Sequence, residues 1–294
     1  MQNHLTVLYR GALETCNYAC DYCPFAKRKE TAEKKQQDII GLNNFIHWIS
    51  KNPDTKFNIF FTPWGEALVF KRYQQALKQL SEFENVHKII VQTNLSAKLN
   101  FLENIAPHKL RLWCTYHPTE VARNKFIEKT KYLEMLNIKF SVGMVGQPAL
   151  FNEIKQLRAA LTPTTYLWIN AYIENNQPYQ YTLEQAKFLT EIDPYFPLNK
   201  SYASYNSPCT AGESAITVDE FGEIKRCHFI ADNLGNIKDP HWQKNLKKRN
   251  CTNRCCDCHI GYIFLESFNA QTLFGGQALE RIPNYFNSPP FSTE

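Results

Sequence analysis

Cysteine placement constrains this chain more than any other feature. The ten cysteines stand at positions 16, 20, 23, 114, 209, 227, 251, 255, 256 and 258, so that nine fall into two zones and Cys114 is alone. The start, MQNHLTVLYRG, lacks a charged segment followed by a long apolar run and does not read as a signal peptide. No apolar stretch approaches the roughly 20 residues that span a bilayer. The expectation is a cytoplasmic protein without membrane contact, where thiols stay reduced. Clustered reduced thiols read as metal ligands rather than as disulfides.

The first zone, Cys16-Asn-Tyr-Ala-Cys20-Asp-Tyr-Cys23-Pro24, packs three cysteines into eight residues with no fourth nearby. A structural zinc site wants four protein ligands, and so does a closed iron–sulfur cluster. Three thiolates on a tight loop leave one iron of a cluster open to another molecule. The second zone runs Cys209, twelve residues, Gly222, four residues, Cys227, then Cys251-Thr-Asn-Arg-Cys255-Cys256-Asp-Cys258. Its six thiols exceed the needs of one four-ligand site. One reading is a zinc knob built from four of them, with His228 or His259 as substitutes, in a non-catalytic interaction module.

Between the zones the pattern alternates. Strands rich in Val, Ile, Phe and Tyr are expected at 5–9, 57–61, 88–93, 110–116, 139–144 and 166–173. Helices are expected at 42–50, 73–83, 98–105, 123–136, 150–160 and 183–190. Six such units are too few for a closed eight-unit barrel. They predict an α/β fold: an open, partial (β/α)6 TIM-like barrel over residues 1–200, with a small cysteine-rich extension over 201–294. In barrels of this kind the chemistry lies beyond the C-terminal strand ends. The first cysteine loop follows the first strand, Pro63-Trp64-Gly65-Glu66 the second, Thr93-Asn94 ends the third and His117 follows the fourth. Gly143 and Gly146 end the fifth, and Asn170 lies in the sixth. The net charge of +5 is spread among acids, which gives no reason to expect a nucleic-acid partner.

The CxxxCxxC loop of Cys16, Cys20 and Cys23, with Tyr22 before the third cysteine, resembles the signature of the radical S-adenosylmethionine superfamily. The resemblance runs from about residue 5 to about residue 175. It implies a [4Fe–4S] cluster on the three thiolates, with S-adenosyl-L-methionine bound to the open iron by its amino and carboxylate groups. In that family a Gly-Gly-Glu-Pro-like turn contacts the amino group. Here Gly65 and Glu66 remain, while Trp64 replaces the first glycine and Ala67 the proline. Thr93 and Asn94 resemble the family's pair after the third strand, and the 141–146 stretch, opening at Ser141, its ribose-contacting region. With Asn170 these make the implied cofactor contacts.

The second zone resembles the SPASM and twitch extensions of the same superfamily, which open with cysteine, a spacer, glycine, four residues and cysteine. Gly222 suits the hairpin turn of that motif. The short cysteine series implies one auxiliary [4Fe–4S] cluster, on Cys209, Cys227, Cys255 and Cys258, with Cys251 and Cys256 as alternatives. The resemblance implies an oxidoreductase-type enzyme or peptide maturase. It would take one electron from flavodoxin or ferredoxin and form a 5′-deoxyadenosyl radical that attacks a C–H bond of a peptide or small molecule. Oxidation through the auxiliary cluster, cross-linking and epimerisation are the open outcomes, and the C-terminal segment is expected to cap the barrel mouth. The first strand begins too early for a leader-binding domain before it, which tilts the expectation toward a small molecule or a peptide delivered by another protein. The basic stretch 27–35 is a candidate docking site for an acidic electron donor.

Overall fold

A computed structural model describes residues 3–23, 28–175 and 177–287. The chain runs β1 (Asn3–Arg10), α1 (Ala32–Ser50), β2 (Thr55–Phe61), α2 (Lys71–Glu82), β3 (Val86–Thr93), β4 (Leu110–Thr115), α3 (Arg123–Met135), β5 (Lys139–Val145), α4 (Phe151–Ala160), β6 (Leu167–Asn170) and α5 (Leu183–Ile192). Strands β1 to β6 pair in sequence order, all parallel. Their alternation sorts two cores. Val7, Ile59, Val91, Leu112, Val142 and Ile169 pack on the helix side against Phe45, Leu77, Leu133 and Leu157. Leu8, Phe60, Ile90, Trp113 and Trp168 face the concave side. Burying each such side chain contributes about 1.5–3 kcal/mol.

Local signals explain the helices. Thr31 caps α1 by accepting from the Lys34 amide, which lets the helix begin ten residues before the expected 42. In α2 the buried Tyr73, Ala76, Leu77 and Leu80 fall on one helical face. Between β3 and β4 the expected helix at 98–105 is instead a 3-10 segment, Leu99–Asn104, whose buried Leu99 and Leu102 keep a spacing of three. Strand six stops at Asn170 rather than 173. Side chains cover its open edge: Asp193 accepts from the Ile169 amide at 2.8 Å, and Asn199 donates to the Ile169 carbonyl at 2.9 Å.

The sheet does not end with the barrel. Strands β7 (Ala215–Asp219), β8 (Glu223–Cys227) and β9 (Ile230–Asn236) extend it to nine, in the order β9-β8-β7-β1-β2-β3-β4-β5-β6. β7 lies parallel to β1, and β8 and β9 continue as antiparallel neighbours. Gly222 makes the β7–β8 turn at φ +78°, a conformation that favours glycine. The expected boundary at 200 therefore falls within one shared core, where Trp242 packs on Trp48 with ring centroids 4.8 Å apart.

The C-terminal segment fills the concave side. Ile260, Ile263, Phe274 and Leu279 pack with Phe60, Trp113 and Trp168. Buried Glu280 pairs with Lys88 of β3 at 2.6 Å. Lys88 lies in the N-terminal half of its strand, whereas the next residue of the segment, Arg281, donates to Asn170 at the C-terminal end of β6 at 2.6 Å, so the segment spans the concave side. Trp168 lies across Gly143, where an added Cβ would sit 1.9 Å from the ring. Among the described residues no helix is long and apolar enough to cross a membrane.

Candidate active site at the cysteine loop

The loop after β1 meets the ends of β2, β3 and β4 around a cavity of about 200 Å3, with Cys16, Cys20, Cys23, Trp64, Asn94 and His117 on its wall. Backbone bonds set its position: the Trp64 amide donates to Leu13 at 3.3 Å and the Glu66 amide to Thr15 at 3.1 Å. Gly65 lies so close that a Cβ would stand 2.0 Å from the Thr15 carbonyl oxygen. Glu66 is buried and its carboxylate is committed, accepting from Thr93 Oγ1 at 2.8 Å, the Asn94 amide at 2.6 Å and the Leu68 amide at 3.1 Å. Burial pushes this carboxyl up to about 7, against the pull of those donors.

Asn94 passes the order on. Its Nδ2 donates to Cys16 Sγ at 3.6 Å and to Asn17 Oδ1 at 3.1 Å. From α3, Lys129 Nζ donates to the carbonyls of Leu95, Ser96 and Ala97 at 2.8, 2.6 and 2.9 Å, pinning the turn in which Leu95 takes φ +57°. Across the cavity Tyr22 OH and His117 Nδ1 lie 2.8 Å apart with their rings stacked. Burial lowers His117 to about 4, so the imidazole is neutral near pH 7.

Burial raises the Cys16 thiol, and raises Cys20 to about 12, helped by Glu120 and Cys23. Unligated thiols there stay protonated; a metal would deprotonate them outright. Among the described residues no three His, Cys, Asp or Glu side chains converge as on a single metal ion. A four-iron cluster makes a different demand, since each thiolate binds its own corner of a larger body. Three thiols spread along one cavity wall, with the remaining wall free of cysteine, fit a cluster with one open iron.

Gly65, Glu66, Thr93 and Asn94 thus join Cys16, Cys20 and Cys23 at one site. Ser141 and Asn170 do not line this cavity. Ser141 donates to the Glu280 carbonyl at 2.7 Å and accepts from Trp168 Nε1 at 3.2 Å. Asn170 accepts from Arg281 at 2.6 Å. Both polar side chains bond the C-terminal segment. Gln92 and Thr115, missed in the sequence, do line the cavity. Their signal was a polar residue two positions beyond an inward apolar one, Ile90 in β3 and Trp113 in β4, near the strand's C-terminal end.

The second zone is drawn together by two short strand pairs, Pro208–Cys209 with Arg249–Asn250 and Tyr202–Ala203 with Cys255–Cys256. Buried Arg226 donates to the carbonyls of Ala211, Asn250 and Arg249 at 2.8, 2.6 and 2.8 Å, tying the strand before Cys227 to the chain entering Cys251. Burial, then the neighbouring thiols Cys209 and Cys251, push Cys227 up to about 11. Burial, then Cys227, Cys251, Cys258 and Cys209, push Cys256 up to about 12. Cys256 thus lies within electrostatic reach of Cys209, Cys227, Cys251 and Cys258 alike. Cys255 is exposed. Cys258 is raised by burial, and the nearby guanidiniums of Arg281 and Arg10 oppose that rise. His228 and His259 have other partners, Thr62 Oγ1 at 3.1 Å and the Ala278 carbonyl at 2.7 Å.

No protein-family model and no characterised protein matches the sequence. Solved structures do resemble the fold. Native anSMEcpe with bound AdoMet and Cp18Cys peptide matches with TM-score 0.52 and 15% identity, over 80% of this chain and 78% of that one. Streptococcus suis SuiB matches with TM-score 0.57 and 13% identity, over 83% of this chain and 66% of that one. Both are radical S-adenosylmethionine enzymes.

Proposed function

We propose, for a chain that has the fold of the radical S-adenosylmethionine enzymes, that it reductively cleaves S-adenosylmethionine and uses the resulting radical on a C–H bond. One observation carries this reading: Cys16, Cys20 and Cys23 share a single cavity with the Gly65–Glu66 turn and the Thr93–Asn94 pair. When bound, a [4Fe–4S] cluster on these thiolates supplies one electron to the sulfonium, giving methionine and a 5′-deoxyadenosyl radical.

The chain's own residues do the positioning. Glu66 locks Asn94, and Asn94 steadies Cys16. The stacked Tyr22 and His117 close one side of the cavity and help exclude water that would quench a radical. Gln92 and Thr115 offer polar groups toward a ribose or carboxylate.

For the second zone the reading is one auxiliary [4Fe–4S] cluster on Cys209, Cys227, Cys251 and Cys256. The burial of Cys209, Cys251 and Cys256 and the exposure of Cys255 support that set over one that includes Cys255, with Cys258 a further thiol within electrostatic reach of Cys256. A cluster closed by four thiolates has no open iron and serves electron transfer, which suits a net oxidation of the substrate. The electron donor would be a flavodoxin or ferredoxin. Of the basic stretch 27–35, Lys27 lies outside the described residues, and Arg28 pairs with Glu14 at 3.1 Å.

Anaerobic reconstitution with iron and sulfide, followed by dithionite and S-adenosylmethionine, tests the reading. The expected products are 5′-deoxyadenosine and methionine, abolished by Ala at Cys16, Cys20 or Cys23. A colourless protein that takes up zinc and forms no 5′-deoxyadenosine would overturn it.

A further inference from the structure

Arg10 is the last residue of β1, and it stands between the cysteine-loop cavity and the second thiol zone. Its Nε donates to the Thr62 carbonyl at 3.0 Å. Among the described residues, Nη1 and Nη2 find no acceptor, and no carboxylate lies within the 4.0 Å of an ion pair. Asp219, its register partner on β7, is committed to Lys225 at 2.9 Å and to the amides of Phe221 and Glu223. On one side the Arg10 Cζ lies 5.7 Å from the ring of Trp64, which is itself on the cavity wall. Cys258 of the second thiol zone is near enough to bear electrostatically on Arg10.

A part-buried guanidinium keeps its charge even where burial lowers its pKa to about 10. That charge is only partly solvated and has no counter-ion among the described residues, while Nη1 and Nη2 still reach solvent, where an anion can approach. The planar fork of arginine matches a carboxylate with two parallel hydrogen bonds. Trp64 adds an apolar plate, 40% exposed, beside the fork.

We propose that Arg10 and Trp64 form a carboxylate-binding subsite, and that the substrate carries a carboxylate which docks on Arg10 so that its reacting C–H is presented to the cysteine-loop cavity. The inference rests on the function proposed above and adds the chemical class of the substrate. The carboxylate can belong to a small acid or to an acidic residue of a peptide; the shared chemistry is the anion on the guanidinium fork.

The test uses the reconstituted wild-type protein with S-adenosylmethionine present and phenylglyoxal as an arginine reagent, with modified sites mapped by mass spectrometry. The probes are acetate, and a capped Ala-Ala-Asp-Ala-Ala peptide, each against chloride at matched ionic strength. Carboxylate should slow modification of Arg10 by about tenfold, while Arg28, whose side chain is 76% exposed, reacts as before. Stronger protection by the peptide assigns a peptide substrate, and stronger protection by acetate a small acid. Equal rates with carboxylate and chloride would overturn the subsite. So would an Arg10 that resists the reagent without any probe, because the protein or the second cluster would then already cover it. Formation of 5′-deoxyadenosine by the same preparation is scored separately. Its absence sinks the proposed function; its presence with an indifferent Arg10 sinks only the subsite.

Discussion

The side-chain amide of Asn94 can face Cys16 in one orientation only. Its Oδ1 accepts from the Ser96 backbone amide at 2.9 Å. That group can only donate, so the oxygen cannot be exchanged for nitrogen. Nδ2 is left to face the Cys16 sulfur at 3.6 Å. Hydrogen bonds to cluster sulfurs set reduction potentials, and a donor favours the more negative, reduced state. Asn94→Leu removes the donor, and Asn94→Asp places a carboxylate oxygen against the sulfur. Both should move the midpoint of the first cluster to more negative values, Asp further than Leu. Redox titration followed by electron paramagnetic resonance checks this, with Ser96→Ala as a control that leaves the Asn94 contact in place. An unchanged midpoint in a fully loaded Asn94→Leu protein would leave this bond without an electronic role.

Gly65 was expected to let backbone approach a cofactor. The structure gives it a different constraint, because its missing Cβ faces the Thr15 carbonyl at 2.0 Å. Gly65→Ala should therefore push the cysteine loop away from the turn, at an overpacking cost of about 1–3 kcal/mol. Iron should fall from about eight to about four per chain as the first cluster is lost and the second stays. Full iron with weakened S-adenosylmethionine binding would point back to the cofactor role.

The second ligand set is tested by single substitutions. Cys251→Ala and Cys256→Ala should each bring iron from about eight to about four, while Cys255→Ala, at an exposed thiol, should keep it at about eight. The first cluster should still support 5′-deoxyadenosine formation in all three. Loss of iron on replacing Cys255 alone would restore the ligand set implied by the CxxC spacing.

Burial lowers His259 from 6.5 to about 3, with Arg281 adding to the effect. Between those values the unfolded chain takes up a proton that the folded chain refuses, so stability falls as pH drops from about 6.5 toward 3. At pH 5 this one group costs about 2 kcal/mol. Chemical denaturation of the iron-free protein at pH 7.5 and pH 5 should show the loss, and His259→Phe should flatten it. A wild-type profile as flat as that of the variant would place the His259 proton elsewhere.

Much of the barrel could be read from the chain because its signals are local. Val- and Ile-rich strands followed by helices with a spacing of three and four determine a parallel order without help from distant residues. The cysteine loop stood out for the same reason, as three cysteines within eight residues. What escaped was long-range. Nothing around Ala215 announces that β7 will lie beside β1, more than two hundred residues earlier. Ser141 stands among the implied cofactor contacts because the 141–146 stretch resembles a ribose-contacting region, and resemblance says nothing of a distant partner. Its partner, the Glu280 carbonyl, is 139 residues away. Among the C-terminal thiols, Cys251 and Cys256 stand as alternatives to the CxxC pair that the resemblance implies. The exposure of Cys255 depends on a short pairing with Tyr202–Ala203 that spacing cannot reveal.

The parallel pairing of β1 with β7 has one further consequence. Each strand feeds directly into one of the two thiol groups: β1 into the Cys16 loop, and β7 through its hairpin into Cys227. Neighbouring strands are held about 4.8 Å apart by their hydrogen bonds. The separation of the two groups is thus fixed by a single rigid sheet rather than by a linker between bodies. If both groups hold the clusters proposed above, an electron tunnelling between them would meet a barrier of constant width, with no docking motion needed to bring the two within range.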